Sequence, residues 1–130
     1  MTFIKLSERE EFLATRIVNA AFIVHKELGP GLLEKIYEIC MAHVLRKEGI
    51  LVRRQVDMPV VFQELEFDEG LRVDLYVENL VICEIKAMDQ VNSVWSSQVL
   101  SHLVMSKHRL GFLINFNVPL IKDGIKRFVI

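Results

Sequence analysis

Residues 72–87 of the sequence, RVDLYVENLVICEIKA, contain the pattern that decides both the fold and the chemistry of this chain. β-branched and other apolar residues predominate in two short runs, which predict strands over residues 71–77 and 80–87. Only a short turn separates the runs, so the strands are expected to pair as an antiparallel hairpin. Because side chains alternate along a strand, the first strand is expected to direct three apolar side chains to the face opposite Asp74, namely Val73, Leu75 and Val77.

The length of the turn decides which residue faces Asp74 across the hairpin. If the loop holds an odd number of residues, such as 78–80, Asp74 lies opposite Glu84 on one face of the sheet. A two-residue loop would place Asp74 opposite Cys83 instead. Lys86 shares a face with Glu84, because one residue of the same strand separates them.

Two carboxylates that face each other between apolar strands require a compensating cation, because they repel each other and lose solvation. Mg²⁺ prefers oxygen ligands and is usually held by one or two carboxylates, so Asp74 and Glu84 are candidate ligands of Mg²⁺ or Mn²⁺. Lys86 is a candidate to orient or deprotonate the attacking water and to offset charge on a phosphate. The pattern indicates phosphodiester hydrolysis. The alternative is a strand whose alternating charges form an ordinary solvated face.

Two further polar residues are candidates for the same site. Glu34 is predicted at the edge of an apolar helix face, where a carboxylate that only adds solubility would be better placed further out. Gln98 lies in an apolar helix after the hairpin, and its amide can both donate and accept, which suits fixing a water or a catalytic side chain. The alternatives are an ordinary boundary glutamate and an ordinary surface glutamine.

Two helices are predicted before the strands. Ser7 and Glu10 form a capping-box pattern, and apolar residues at helical spacing predict a first helix over about residues 8–27. The Gly-Pro-Gly sequence at residues 29–31 stops this helix, and a second helix is predicted from near Leu32.

The rest of the chain is predicted to be mainly β-structure with one more helix. Strands are predicted over residues 51–58, 59–62, 71–77 and 80–87, a helix over 93–106, and closing strands over 110–116 and 125–130. The resulting order, ααββββαββ, predicts an α/β (α+β) fold in which helices cover a mixed sheet. Residues 1–130 are expected to form one domain.

The composition narrows the classes of function. The 130 residues include 16 Lys and Arg against 17 Asp and Glu, so the net charge of −1 provides no overall attraction to nucleic acid or anionic lipid. No apolar run approaches the ~20 residues of a membrane span, and residues 1–10 lack a signal-peptide pattern. Cys40 and Cys83 are expected to be reduced thiols in a cytoplasmic protein. The mean hydropathy of +0.31 is high, and a homo-oligomer interface is one way to cover apolar surface.

Gly31-Leu32-Leu33-Glu34-Lys35-Ile36-Tyr37 matches the pattern G-x-x-E-x-x-Y. In this respect the chain resembles the GxxExxY proteins, a bacterial and archaeal group that is similar to the PD-(D/E)XK nuclease superfamily. The resemblance continues in order and spacing through residues 25–31, Asp74, residues 84–86, Gln98, residues 100–103, residues 114–116 and residues 126–127.

The resemblance implies a restriction-endonuclease-like core, in which helices flank a mixed central sheet and the acidic residues and the lysine lie at one edge. By position, the resemblance implies roles for five residues: Asp74 and Glu84 as metal ligands, Glu34 as the helix glutamate near the metal, Lys86 as the catalytic lysine, and Gln98 as the motif glutamine. The chain departs from the Q-x-x-x-Y form of related nucleases, because His102 stands where those have Tyr. A histidine can hydrogen-bond or contact a phosphate, but it does not fill the space of a phenol.

The predicted function is therefore a metal-dependent phosphodiesterase of the nuclease type, acting on DNA or RNA. A short basic cluster that includes Lys107 and Arg109 is a further candidate contact for a phosphate backbone. The alternative is a catalytically inactive nuclease-fold module that dimerises or binds a partner protein. The balanced charge, the lack of an added DNA-reading domain and His102 favour that alternative.

Overall fold

Residues 5–130 are described by the computed structural model, and within them three helices and seven strands follow one another. They are α1 (Glu8–Leu28), α2 (Glu34–Lys47), β1 (Val52–Asp57), β2 (Val60–Phe62), β3 (Leu65–Phe67), β4 (Arg72–Val77), β5 (Val81–Lys86), α3 (Val94–Ser106), β6 (Leu110–Asn115) and β7 (Ile125–Val129). A short 3-10 helix, Ile121–Gly124, precedes β7. Residues 1–4, part of the stretch considered for a signal pattern, lie outside the described residues.

The start of α1 confirms the predicted capping box. Ser7 Oγ accepts a hydrogen bond from the Glu10 amide at 3.0 Å, and the Glu10 carboxylate accepts one from the Ser7 amide at 2.8 Å. These bonds satisfy amides near the helix start that have no intrahelical partner. At the other end Gly29 adopts φ 67°, and its amide donates to the His25 carbonyl. The Gly-Pro-Gly break therefore ends α1 as predicted.

The central sheet has five strands in the order β1-β4-β5-β6-β7. β5 and β6 are parallel, and the other neighbouring pairs are antiparallel. The parallel pair arises because α3 carries the chain from the end of β5 back to the start of β6. The predicted mixed sheet flanked by helices is confirmed.

The helices bury two apolar clusters, one on each face of the sheet. The α1/α2 cluster includes Leu13, Ile17, Tyr37, Met41, Leu75, Val77, Cys83, Ile85 and Phe112. The α3 cluster includes Val73, Ile82, Trp95, Val99, Leu103 and Leu113. Alternate residues of β5 enter the two clusters, so this strand is buried on both faces. Glu84 follows Ile82 by two residues and therefore lies on the α3 face.

The β4–β5 hairpin has the odd loop length that the sequence left open. Leu75 pairs with Cys83 and Val77 pairs with Val81, which leaves residues 78–80 in the loop. The backbone pairing ends at Leu75 and Cys83, and the same register extended by one residue sets Asp74 across from Glu84.

The structure contains one more strand than predicted, so the order is ααβββββαββ rather than ααββββαββ. The additional strand, β3, pairs with β2 in a separate two-stranded antiparallel sheet. Gln63 and Glu64 form the turn with φ of 46° and 71°. Glycine or asparagine usually occupies such positions. Because neither is present, nothing in the sequence marks a hairpin there.

The predicted alternation along β4 is wrong at Val73. Leu75 and Val77 belong to the α1/α2 cluster, whereas Val73 belongs to the α3 cluster on the opposite face. The pleat is interrupted where the antiparallel pairing of β1 with β4 omits Gln55 and Asp74. Gln55 has φ 52°, which is incompatible with a regular strand. Arg54 before it lies near Glu38 of α2, whereas Val56 after it packs against the α3 cluster.

Both cysteines are free thiols, as predicted: Cys83 is buried and Cys40 is half-buried. Burial raises the pKa of the Cys83 thiol far above its usual range, so this group is unreactive. Within residues 5–130, no helix combines the length and the apolar character that crossing a membrane requires.

Candidate active site

Asp74 lies where the backbone pairing of β4 with β5 ends. Beyond the pair of Leu75 and Cys83, the Asp74 side chain replaces the backbone as acceptor: its Oδ2 accepts a hydrogen bond from the Ile85 amide at 2.7 Å. Its Oδ1 accepts another from Gln55 Nε2 at 3.1 Å. These two bonds hold the carboxylate between β1 and β5.

Glu84 is the most strongly perturbed carboxylate of this region. Its side chain is buried, with only 9% of the residue exposed. Burial first, and then the nearby Asp74 carboxylate, raise its pKa to about 7 against the lowering effect of His102. Its Oε1 is buried and has no hydrogen-bond partner among residues 5–130. A buried oxygen without a partner carries a desolvation cost that a bound cation would offset.

His102 of α3 approaches Glu84 from above the sheet. Its Nδ1 lies 3.4 Å from Glu84 Oε1, which is long for an N–H···O hydrogen bond. Like that oxygen, Nδ1 is buried and has no hydrogen-bond partner within the described part of the chain.

Lys86 ends β5, and its position is fixed from two sides. Its Nζ lies 5.4 Å from the centroid of the Trp95 ring, a distance at which a cation is attracted to the ring face. Its carbonyl accepts a hydrogen bond from the Phe116 amide at 2.9 Å. The chain after β5 is held by Asn115, whose amide accepts from the Met88 N–H at 3.2 Å and donates to the Met88 carbonyl at 3.0 Å. The amine therefore projects from a well-anchored strand end.

Glu34 and Glu38 bring two more carboxylates from α2. They are four residues apart and so share one face of the helix. Partial burial, followed by the charge of Asp74, raises the pKa of Glu34, while Lys86 lowers it. The pKa of Glu38 is also raised, again by burial first and then by Asp74 against the lowering effect of Gln55 and Arg54. Both glutamates therefore lie within electrostatic reach of Asp74.

Gln55 joins α2 to the strands. Its Nε2 donates to Glu38 Oε1 at 2.8 Å as well as to Asp74 Oδ1. Glu38 Oε2 lies 3.7 Å from the Arg54 guanidinium. The left-handed backbone of Gln55 thus coincides with a side chain that bridges two carboxylates.

The tyrosine of the G-x-x-E-x-x-Y segment has a structural role. Tyr37 is fully buried, and its ring stacks on Phe116 at 4.5 Å. Its hydroxyl donates to the Gly29 carbonyl at 2.6 Å and accepts from the Leu32 amide at 3.1 Å. Tyr37 therefore fixes the loop that leads into α2 and, with it, the position of Glu34.

Four carboxylates converge at this end of the sheet: Glu34, Glu38, Asp74 and Glu84. The nearby groups that can offset this negative charge are Lys86, Arg54 and the His102 ring. Within residues 5–130, no group of three or more His, Cys, Asp or Glu side chains is arranged so that it could hold a metal ion. Two carboxylates are nevertheless enough for Mg²⁺, which keeps several waters. The unpartnered Oε1 of Glu84 beside Asp74 fits such an ion.

Comparison with models of protein families identifies the family of this chain. The model of the PD-(D/E)XK nuclease superfamily matches residues 11–128. The chain belongs to the PD-(D/E)XK nuclease superfamily. A search of curated proteins and a search of solved structures each returned no significant match. The five-stranded mixed sheet with three helices is consistent with the restriction-endonuclease-like fold of the superfamily.

The structure brings together four of the five site residues predicted from the sequence. Asp74, Glu84, Lys86 and Glu34 interact electrostatically at one end of the sheet. Gln98 is exposed on α3, one helical turn before His102. Among the described residues no hydrogen bond joins its amide to the carboxylates or to the lysine.

The predicted basic cluster lies away from the site. Leu110 pairs with Val81 at the start of β5, whereas Lys86 ends that strand, about 16 Å away at 3.3 Å per residue. Lys107 and Arg109 precede Leu110, and Arg109 donates to the Ile130 carbonyl at 3.1 Å. These cations therefore belong to the opposite end of the sheet from the carboxylates.

Sequence reasoning missed Glu38, Gln55 and the contact of His102 with Glu84. The spacing of Glu38 from Glu34 was an available signal, because residues four apart share a helix face. Gln55 lies in a strand of ordinary appearance, and its positive φ has no mark in the sequence. The contact of His102 with Glu84 depends on how α3 packs over β5, which the sequence alone does not specify.

Proposed function

We propose that this protein is a metal-dependent phosphodiesterase of the nuclease type that acts on DNA or RNA. The observation that carries the proposal is the pair of Asp74 and Glu84, two facing carboxylates of which one is buried with an unpartnered oxygen. Membership of a nuclease superfamily supports the same reaction class. Residues 1–130 would act as one domain, and the free thiols favour the cytoplasm as its location.

Asp74 and Glu84 would hold Mg²⁺ or Mn²⁺, with Glu34 supporting the ion or its water. When bound, such an ion polarises a phosphoryl oxygen and makes water a better nucleophile. Glu84 would supply the oxygen that now lacks a partner, and the bonds from Ile85 and Gln55 would keep Asp74 oriented.

Lys86 would act on the attacking water and on the phosphate. Its amine is held near the site by the Trp95 ring and stands at the end of the strand that carries Glu84. A fixed cation stabilises negative charge that develops on the phosphate in the transition state. Gln98, exposed on α3, would position the nucleophile once substrate is present.

Cleavage of labelled single- and double-stranded DNA and RNA in Mn²⁺ tests the proposal. Lys86→Ala should lower the rate about a hundredfold or more, because it removes a group that acts mainly in the transition state, while ion binding survives. Lys47→Ala is the matched control, because Lys47 is exposed at the far end of α2, about 20 Å along the helix from Glu34. The proposal fails if the wild type cuts none of these substrates or if Lys86→Ala cuts as fast.

Thermal denaturation provides a test that does not depend on substrate choice. An ion that binds only the folded state raises the melting temperature by mass action, so millimolar Mg²⁺ or Mn²⁺ should stabilise the wild type. Asp74→Asn should remove this gain, and Asp68→Asn, an exposed carboxylate outside the site, should keep it. An equal gain in wild type and Asp74→Asn would contradict the proposed ion site.

One observation favours a second candidate function, an inactive interaction or dimerisation module. The 13 residues of α3 include no Asp, Glu, Lys or Arg, and Val94, Val104 and Met105 are exposed. Exposed apolar side chains on an uncharged helix are typical of an interface. A wild type that neither binds ions nor cuts nucleic acid, but forms a homo-oligomer that Val104→Lys dissociates, would establish this function. Light scattering after size exclusion measures the oligomer.

A further inference from the structure

Glu84 and His102 lie within ion-pair distance of each other but form no hydrogen bond. Their facing atoms, Oε1 and Nδ1, are 3.4 Å apart, and both are buried without a hydrogen-bond partner in the described part of the chain. Buried polar atoms are nearly always paired, and a ligand shared by these two atoms would satisfy both. Two ligands bound at about 2.1 Å to one ion lie about 3.0 Å apart in the octahedral geometry of Mg²⁺ and Mn²⁺, so an ion would draw these two atoms about 0.4 Å closer together.

The position of His102 is fixed by close packing of α3 on the sheet. Val99 and Leu103, which flank His102 on α3, are buried in the α3 cluster. Gly111 of β6 permits this approach: a Cβ there would lie 3.2 Å from Leu103 Cδ2 and 3.3 Å from Val99 Cγ1. The His102 carbonyl also accepts a hydrogen bond from Ser106 Oγ. The packing of α3 therefore fixes the imidazole of His102 beside Glu84.

We propose that His102 Nδ1 is a ligand of the same divalent ion as Asp74 and Glu84, which makes this a mixed nitrogen and oxygen site selective for transition-metal ions over Mg²⁺. The inference rests on the proposed function, because it assigns a further ligand to the ion proposed there. Imidazole binds first-row transition ions well, whereas Mg²⁺ prefers oxygen ligands only. Loss of the nitrogen ligand should therefore weaken Mn²⁺ binding much more than Mg²⁺ binding.

As they stand, no three His, Cys, Asp or Glu side chains within residues 5–130 are placed to hold a metal ion, so the ion would have to draw Asp74, Glu84 and His102 closer together. Asp74 is oriented by Gln55 and Ile85, and each of its oxygens accepts one of those two bonds. A carboxylate oxygen has a second lone pair, so Asp74 can serve the ion while it keeps both bonds. The facing atoms of the other two residues, Glu84 Oε1 and His102 Nδ1, make no hydrogen bond with the described residues that ion binding would have to break.

The test combines calorimetry and pulsed electron paramagnetic resonance of the full chain at pH 7.5, where imidazole is largely neutral. Mn²⁺ and Mg²⁺ are titrated separately into wild type, His102→Gln and His102→Tyr. Both variants should lower Mn²⁺ affinity about tenfold or more and Mg²⁺ affinity less than about twofold. His43→Gln, which changes an exposed histidine of α2, should alter neither.

The electron paramagnetic resonance spectrum of bound Mn²⁺ detects a nitrogen ligand directly, so this test does not depend on a measured binding constant. Wild type and His43→Gln should show a ¹⁴N coupling from imidazole that both His102 variants lack. If Mn²⁺ binds in a manner that depends on Asp74 but shows no ¹⁴N coupling, or if His102→Gln weakens both ions equally, the ligand role of His102 is wrong and the proposed function stands. If no ion binds to the wild type, or if Asp74→Asn binds Mn²⁺ as tightly as wild type, the ion site of the proposed function fails together with this inference.

Discussion

The carboxylates at the two ends of the β4–β5 hairpin lie in opposite electrostatic environments. At the turn, Glu78 accepts two hydrogen bonds from the Arg9 guanidinium, at 2.7 and 2.6 Å, and this pairing lowers its pKa. At the opposite end, Glu84 is buried beside Asp74, and its pKa is raised to about 7. Glu78 is bound by a permanent cation, whereas the basic group nearest to Glu84 is the His102 ring, which is charged only when protonated. Buried carboxylates with a raised pKa are typical of functional sites, which agrees with the role proposed for Glu84.

The histidines at the two ends show the same contrast. At the turn end, His108 lies between two hydroxyl groups, 2.7 Å from Tyr76 Oη and 2.9 Å from Ser106 Oγ. At the other end, Nδ1 of His102 has no hydrogen-bond partner among residues 5–130. The turn end is a satisfied polar network, and the other end is an incomplete one.

Substitution of equivalent carboxylates at the two ends should give the largest difference. We expect Glu84→Gln to lower the nuclease rate about a hundredfold to a thousandfold, because it removes a charge that holds the ion. Glu78→Gln should leave the rate within about twofold. Initial cleavage rates in Mn²⁺ measure both. Similar losses in the two variants would show that the contrast has no functional meaning.

The pH dependence of stability should also distinguish the two ends. The pKa of Glu84 in the folded protein, about 7, lies above its ordinary value of 4.5, so the folded state binds more protons in this interval. The free energy of unfolding of the metal-free protein should therefore fall as pH rises from 4.5 to 7, by up to about 3 kcal/mol from this residue.

Urea denaturation in EDTA at several pH values measures this fall. Glu84→Gln should reduce it, and the remaining slope should reflect Glu34 and Glu38, whose pKa values are raised as well. Glu78→Gln should not reduce the fall, because the pKa of Glu78 is lowered rather than raised. An unchanged slope in Glu84→Gln would refute the assigned environment of Glu84.

Removal of a tyrosine hydroxyl should cost more stability at the site end than at the turn end. Tyr37→Phe leaves the Gly29 carbonyl and the Leu32 amide without their buried partner, which should cost about 1–3 kcal/mol. Tyr76→Phe removes bonds that lie nearer solvent and should cost less. Chemical denaturation compares the variants. The reverse order would show that the loop before α2 is not held by Tyr37.

The smallest effect should come from the ion pair at the turn. Arg9→Ala removes the partner of Glu78, but both side chains are accessible to water, so the melting temperature should change less than in Tyr37→Phe. The change should shrink further in 1 M salt, which screens exposed charges. A loss that is large and independent of salt would contradict the description of this pair as an exposed one.

The parts of the fold that local chemistry determines could be predicted from the sequence. The Ser7–Glu10 capping box begins α1, and the Gly-Pro-Gly segment ends it, because both depend on residues close in sequence. The facing of Asp74 and Glu84 could be predicted only as one of two alternatives. A three-residue loop was required, and the structure has it.

The parts that could not be predicted depend on backbone states or on packing between distant elements. The β2–β3 turn uses positive φ at Gln63 and Glu64, and the interruption of the pleat uses it at Gln55. None of these residue types signals that state. The contact of Glu84 with His102 joins residues that are distant in sequence, and it depends on how α3 lies over β5.

Anomalous diffraction from crystals grown with Mn²⁺ locates the proposed ion without an assumption about substrate. We expect one strong anomalous peak in contact with the carboxylates of Asp74 and Glu84, and no such peak in Asp74→Asn crystals grown in the same way. No peak at these carboxylates, or a peak only at exposed carboxylates such as Glu66 and Asp68 of the β2–β3 region, would contradict the proposed ion site.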